Sequence, residues 1–419
     1  MQEAQALYLL KRMFGAAVAA ADPMRVVADR LTERASGRTV VVGAGKASAR
    51  MAEAVEDAWG PCSGLVITRD GYERPLRGIT LRSASHPVPD QRGHEATCEM
   101  LNILDSLGEG DLALVLISGG GSALLVQPAG NITLAEKQQV NEALLSSGAP
   151  IGEMNVVRRH LSAVKGGRLA ARAYPARCHT LAISDVAGDD PVSIASGPTV
   201  GDVTTAADAL RILARWKIDP PDNVLRHLRS DPSSLNPGSP ELSRTSFEII
   251  AAPSQSLEAA SELARAEGAR IVNLGDAIEG EAREVAKWHA AKMRAIANEA
   301  ADSGRPLVII SGGECSVTRT GKGVGGPNAE FALALAIEFD GRAGIYALSG
   351  DTDGVDGGDE IAASIITPST LQRARDIGID PAASLADNDA HTFFARLGDQ
   401  VITGPTLTNV NDFRAIIVT

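Results

Sequence analysis

The sequence predicts an α/β protein of two domains, and three observations carry that expectation. Short apolar runs without polar alternation recur along the chain, as in Val40-Val41-Val42, Leu65-Val66-Ile67 and Leu112 to Ile117. Longer stretches with helical spacing separate them, the pattern of parallel strands covered by helices on both faces. The chain has 419 residues, more than a single hydrophobic core usually serves.

In chain order, Leu7, Leu10, Phe14 and Val18 repeat at helical spacing and predict an amphipathic helix over Met1 to Ala21. Val40 to Val42 is a strand leading into a helix from Lys46 to Trp59. Leu65 to Thr68, Leu112 to Ile117 and Thr180 to Ile183 are further strands, with a helix over Leu134 to Ser146. Asp219 to Pro240 contains several prolines with Ser and Asn between them and is the expected linker. The pattern restarts with strand Phe247 to Ile250 and helix Ser256 to Glu267. Strand Ile271-Val272, helix Glu281 to Ala301 and strands Leu307 to Ile310 and Ile345 to Leu348 follow. The expected domains are residues 1–235 and 241–419.

Composition excludes several functions. With 44% hydrophobic and 22% charged residues the chain is of ordinary globular type. A net charge of −12 without a basic cluster argues against a nucleic-acid partner. No apolar run approaches membrane-spanning length, and the first residues lack the order of a signal peptide. Cys62, Cys98, Cys178 and Cys315 are far apart and form no C-x-x-C pair, so neither a zinc knuckle nor a redox motif is expected. They read as reduced thiols of a cytoplasmic protein.

Leu116-Ile117-Ser118-Gly119-Gly120-Gly121 is echoed by Ile309-Ile310-Ser311-Gly312-Gly313-Glu314, and again by Leu348-Ser349-Gly350-Asp351. Each puts Ser-Gly directly after an apolar strand. Ligands of open α/β sheets bind beyond the carboxyl ends of strands, so these loops are expected to line one cleft between the domains.

Gly43-Ala44-Gly45-Lys46-Ala47-Ser48 follows a strand and opens a helix. Glycines at Gly43 and Gly45 allow close approach to a phosphate, and a helix start supplies unpaired N–H groups. The segment is not a Walker A loop. It partly fits G-x-G-x-x-G, with Ser48 in the last place and Asp70 as a ribose acid, which keeps an NAD-dependent reading open. Lys46 favours another ligand, because a cation at a helix start opposes the dipole by roughly 0.3–1 kcal/mol unless an anion sits there. The plain alternative is a tight turn with a solvated lysine.

Ser118-Gly119-Gly120-Gly121-Ser122 is the stronger phosphate loop, since three successive glycines carry an entropic cost that a nest of N–H groups would justify. Ser122 lacks the G-x-S-x-G elbow of a hydrolase nucleophile. Asp189 lies in a loop after the strand at Leu181, and Asp351 and Asp353 follow the strand at Ile345. Carboxylates so placed suit Mg²⁺, although Asx turns explain them equally well. Arg158, Arg159, Lys165 and Arg168 could form an anion site or a solvated helix face. His86, in Ser85-His86-Pro87-Val88-Pro89-Asp90, and His391 stay undecided between ligand contact and turn capping.

Read together, GAGKAS, SHPVPD, LISGGGSALL, VVRRHLSAVKGGRLA, AISDVAGDDPVSIASGPTVGD, SGGECSVTRTGKGVGGPNAEFALALA, SGDTDGVDG and TGPTLTNVNDF resemble the type II glycerate kinases, or MOFRL family. The resemblance runs in order from about residue 40 to the last residues. It implies a Rossmann-like doubly wound domain with a mostly parallel sheet, followed by a smaller mixed α/β domain. It implies ATP-dependent phosphorylation of D-glycerate at the 2-hydroxyl with Mg²⁺, giving 2-phosphoglycerate. The family's catalytic lysine maps onto Lys46. An arginine thought catalytic in many members is replaced here by Pro327, so that role is not carried over; Arg319 or Lys322 are nearby cations. The loops Ser118 to Ser122 and Ser311 to Glu314, with Gly312 and Gly313, are expected at the nucleotide phosphates. Arg159, Lys165 and Asn328 are expected at the substrate, and Asp189 as general base and Mg²⁺ ligand, with Asp351 or Asp353 as alternative metal ligands. A homodimer is compatible with the sequence. The rival enzyme is an NAD(P)H-dependent hydroxypyruvate reductase.

Overall fold

The computed structural model describes residues 1–230, 235–300 and 304–419. Six strands form the first sheet: β1 Thr39–Ala44, β2 Ser63–Arg69, β3 Thr80–Ala84, β4 Leu112–Ile117, β5 Arg177–Ile183 and β6 Thr245–Ala251. Their order is β3-β2-β1-β4-β5-β6, and the pairs from β3 to β5 are parallel. This is the doubly wound order, which reverses direction between β1 and β4. Gly43 pairs with Leu116 and Ala44 with Ile117, so the loops after β1 and β4 leave the sheet side by side at that switch point. All six residues of β4 are buried, as its unbroken apolar run predicts.

The second sheet is mixed. Its strands are β7 Arg270–Asn273, β9 Leu307–Gly313, β11 Ile345–Asp351, β12 Ala363–Ile366, β13 Gln400–Val401 and β14 Asp412–Val418; the short strands β8 Gly280–Glu281 and β10 Cys315–Ser316 pair with each other. The order is β13-β12-β11-β14-β9-β7. Only the β7–β9 pair is parallel; β14 runs antiparallel between β9 and β11.

The chain divides into two units. One comprises Pro23–Ser184 and Asp189–Ile250, the other Met1–Asp22, Asp185–Gly188 and Ala251–Thr419. The observed boundaries differ from the expected 1–235 and 241–419 at both ends. The strand expected to open the second domain is β6, the edge of the first sheet. The amphipathic helix spans Glu3–Ala20 and buries Leu9, Leu10, Met13 and Phe14 against the second sheet's core, with Phe14 edge-on to Phe413. Each large apolar side chain so buried contributes about 1.5–3 kcal/mol, which explains why this helix joins the later unit.

The expected linker is partly structured. Asp222–Arg229 is a helix whose Val224 and Leu228, four residues apart, are buried in the first unit's core. Residues Asp231 to Ser234 of that stretch lie outside the described residues. All four cysteines are free thiols, and among the described residues no helix is long and apolar enough to cross a membrane.

Candidate active site

The N–H groups of the loop after β1 are all taken within the protein. Gly45 N donates to Ile67 O, Lys46 N to Gly119 O, Ala47 N to Ser118 Oγ and Ser48 N to Gly45 O. The helix begins only at Ser48. The Ser48 hydroxyl, fully buried, donates to the carbonyls of Gly45 and Ile67. Both glycines serve close packing between strands: a Cβ at Gly43 would lie 2.2 Å from Leu116 O, and one at Gly45 2.1 Å from Ser118 Oγ. No N–H from Gly45 to Ser48 is left for a pyrophosphate. Asp70, the candidate ribose acid, accepts both terminal nitrogens of Arg92 at 2.8 and 2.7 Å, and this pairing holds its carboxyl below the ordinary range.

The loop after β4 differs. Ser118 N donates to Ala44 O and Gly121 N to Ser118 O, but among the described residues the N–H groups of Gly119, Gly120 and Ser122 meet no protein acceptor. Gly120 is left-handed, with φ 79°, and caps the short helix Gly121–Leu124. Lys46 and His86 both reach this loop. A Cβ at Gly120 would lie 3.0 Å from His86 Cδ2 and 3.3 Å from Lys46 Cγ. Sequence reasoning left His86 undecided; the structure brings it to the glycine loop, and only the fold of β3 onto β2 could have shown this.

A second loop packs against the first. Ala195, Ser196 and Gly197 are consecutively left-handed, with φ of 49°, 62° and 61°. For non-glycine residues such backbone costs on the order of 1–3 kcal/mol each and persists only where surroundings enforce it. Ala195 Cβ lies 2.8 Å from where a Gly121 Cβ would be. Ser196 Oγ is 2.8 Å from Ser122 Oγ. In the sequence this loop stands only within the segment AISDVAGDDPVSIASGPTVGD, where no role attaches to Ser196.

The basic residues behind these loops turn inward. Lys165, 2% exposed, donates to Ser122 O at 2.9 Å and Ala195 O at 3.4 Å. Burial, and then the charges of Lys137, Arg158 and Arg159, push it well below the ordinary lysine value. Arg159, 5% exposed, pairs with Asp202 at 2.8 Å, and Arg158 donates to Asn141 Oδ1. Arg159 and Lys165, expected at the substrate, are thus engaged within the protein. The helix carrying Arg158 and Arg159 ends at His160, so Lys165 and Arg168 do not share a face with them.

Asp189 has φ 54° and a buried Oδ1 that meets no hydrogen-bond donor. An orphaned carboxylate oxygen fits a cation or proton ligand. Among the described residues, no three His, Cys, Asp or Glu side chains converge as a metal site.

In the second unit, the echoed segments are occupied internally. His289 Nδ1 bonds Val285 O at 2.8 Å, so that nitrogen carries the proton and Nε2 accepts from the Ser311 hydroxyl at 2.8 Å. Burial pushes His289 down to about 4. Gly312 N donates to Gly275 O, and a Cβ at Gly313 would lie 2.2 Å from Ile278 O. Glu314 is exposed. Asp351 and Asp353 accept from the N–H groups two residues on, Asp353 N and Val355 N, as Asx turns do. Asn328 is 1% exposed; its Nδ2 donates to Asp412 and its Oδ1 accepts from Ser349. Pro327 is the first residue of helix Pro327–Phe339, where its missing N–H costs nothing. The Asp356 carboxylate accepts from the N–H groups of Asn328 and Ala329 at that helix start. Arg319 donates to Gly323 O in an exposed loop. His391, also undecided, is buried and contacts Asp356 O at 3.1 Å.

Comparison with known proteins agrees with this architecture. Residues 9–229 match the family described as a domain of unknown function, DUF4147, and residues 307–412 the MOFRL family. The chain is 50% identical to an Agrobacterium vitis protein provisionally named a hydroxypyruvate reductase, over 99% of this chain and 95% of that one. It is 37% identical to the D-glycerate 2-kinase of Thermotoga maritima over 93% of each. The crystal structure of a glycerate kinase from Thermotoga maritima superposes with a TM-score of 0.88 at 34% identity, covering 99% of this chain and all of that one. Sequence, strand order and structural match converge: the chain belongs to the type II glycerate kinase (MOFRL) family.

Proposed function

We propose that this protein transfers the γ-phosphoryl group of ATP to the 2-hydroxyl of D-glycerate, giving 2-phosphoglycerate and ADP. The observation that carries the reading is the pair of loops at the β1–β4 switch point. The β4 loop offers the N–H groups of Gly119, Gly120 and Ser122 without protein acceptors, as a phosphate cradle requires, and Lys46 reaches it. Kinship with glycerate kinases supports the same substrates.

Phosphoryl transfer depends mostly on positioning and on stabilising charge. The β4 loop holds the nucleotide phosphates, with the glycine face of Gly43 and Gly45 as the platform that aims Lys46. The ammonium of Lys46 balances charge on the phosphoryl group in flight. The 2-hydroxyl oxygen forms the new P–O bond, the bond to the ADP oxygen breaks, and the hydroxyl proton passes to Asp189. Mg²⁺, when bound, would screen the phosphate charge; the orphaned Asp189 Oδ1 is the carboxylate oxygen best suited to hold it. Asp351 and Asp353, the alternatives, already accept backbone N–H groups.

The name of the Agrobacterium vitis relative favours a second reading, reduction of hydroxypyruvate by NAD(P)H. The β1 loop, whose N–H groups are already taken, and the Arg92-paired Asp70 count against it, because a dinucleotide needs that loop's N–H groups and that carboxylate. One pair of assays separates them. ADP release from ATP and D-glycerate is expected; NADH consumption with hydroxypyruvate, without ADP release in the first assay, would overturn the kinase reading.

A further inference from the structure

Ser196 is fully buried, and its hydroxyl meets one partner among the described residues, Ser122 Oγ at 2.8 Å. A buried hydroxyl proton must go to an acceptor. Ser196 therefore donates, Ser122 accepts, and the proton of Ser122 is directed elsewhere. Ser122 is only partly buried, and it belongs to the loop whose N–H groups of Gly119, Gly120 and Ser122 meet no protein acceptor.

From this we infer that Ser196 is a positioning residue that aims the Ser122 hydroxyl, as a donor, at a phosphate oxygen of the bound nucleotide. The inference rests on the phosphate-loop reading above. Lys165 holds the arrangement from behind: its ammonium bridges Ser122 O and Ala195 O, the carbonyls of both loops. The backbone of the left-handed turn is pinned by Gly166 N to Ser196 O at 3.2 Å and Gly167 N to Gly197 O at 2.8 Å. Five ties thus fix one hydroxyl direction. The same geometry gives Lys165 a role through Ser122 in place of direct substrate contact.

The test is a double-mutant cycle on ADP affinity, measured by calorimetry on the full chain. Ser122→Ala and Ser196→Gly are each expected to weaken ADP about ten- to a hundredfold, the loss of one hydrogen bond to a charged group. The double variant is expected to bind no worse than Ser122→Ala alone, because Ser196 acts only through Ser122. Ser196→Gly removes the hydroxyl and also relieves the left-handed strain, so its thermal midpoint should hold or rise while affinity falls. A merely structural serine would not give that split. Additive losses, unchanged affinity in Ser196→Gly, or no ADP binding by the unsubstituted protein would overturn the inference. Failure of ATP and glycerate turnover with normal ADP binding and a coupled cycle would overturn the kinase reading alone.

Discussion

Ile117-Ser118-Gly119-Gly120 and Ile310-Ser311-Gly312-Gly313 carry the same four residues at the ends of buried strands, yet they meet different surroundings. After β4, the loop of the parallel neighbour β1 departs in the same direction and bonds Gly119 O and Ser118 Oγ, leaving the N–H groups of Gly119 and Gly120 without a protein acceptor among the described residues. After β9, one neighbour, β14, is antiparallel, and the chain that leaves the other, the parallel β7, folds back at Gly275 to Ile278 and covers the glycines. Ser311 there faces the core imidazole of His289. Identical letters leave N–H groups without a protein acceptor in one place and are packed over in the other, and the deciding influence is the path of the neighbouring chain beyond the strand ends.

That contrast can be broken by experiment. The largest effect is expected at Lys46, which reaches the β4 loop. Lys46→Ala should lower kcat by about 10²–10³-fold, the scale for removing one charge-stabilising group. ADP affinity should change far less; near-normal turnover in the folded variant would remove Lys46 from the mechanism. Next in size, Gly313→Ala should cost about 2–4 kcal/mol of stability by urea unfolding, since its Cβ would lie 2.2 Å from a backbone oxygen at φ 115°. Gly121→Ala should show the opposite bias. Its Cβ would press on Ala195 Cβ at 2.8 Å, so ADP affinity should fall roughly tenfold with a smaller stability change. Equal effects of the two substitutions on stability and affinity would erase the distinction.

A smaller, pH-dependent effect marks the packed segment. His289 is pushed down to about 4, so the unfolded chain binds its proton first as pH falls. Its contribution to stability is present above about 6.5, the unfolded value, and is lost as pH falls towards 4. Burial at 2% exposure makes this worth about 2–4 kcal/mol across the window. Urea midpoints of the unsubstituted protein should therefore drop between pH 7 and pH 4 more than those of His289→Gln. Parallel curves would remove His289 as the source.

Much of the fold was legible because it depends on patterns local to each element. The apolar run of β4 announced a strand buried on both faces, and Leu10 and Phe14 announced the first helix's stripe. Which core that stripe joins was not legible, because docking is decided by shape complementarity with Phe413 and its neighbours. The proline-rich stretch hid a helix because Val224 and Leu228 give only one apolar repeat. The glycine loops and Lys46 stand out in the sequence by residue type and position, and the structure brings Lys46 to the β4 loop. Arg159, Lys165 and Asn328 could not be read in this way, because their charge or amide says nothing of the internal partner each finds. Ser196 was hidden for a further reason: no residue letter encodes a left-handed serine.

The helix Glu3–Ala20 also sets an order on synthesis. It is made before the strands of either sheet, but its binding surface includes Leu257, Ala260 and Phe413, made after the first sheet is complete. The first sheet's strands can all pair once β6 has emerged, while the helix Glu3–Ala20 still waits with an unburied apolar stripe. A nascent chain stalled before residue 412 should therefore present a protease-sensitive amino-terminal segment beside an already resistant middle. Completion of strand β14 should be the event that protects the helix and the strand together.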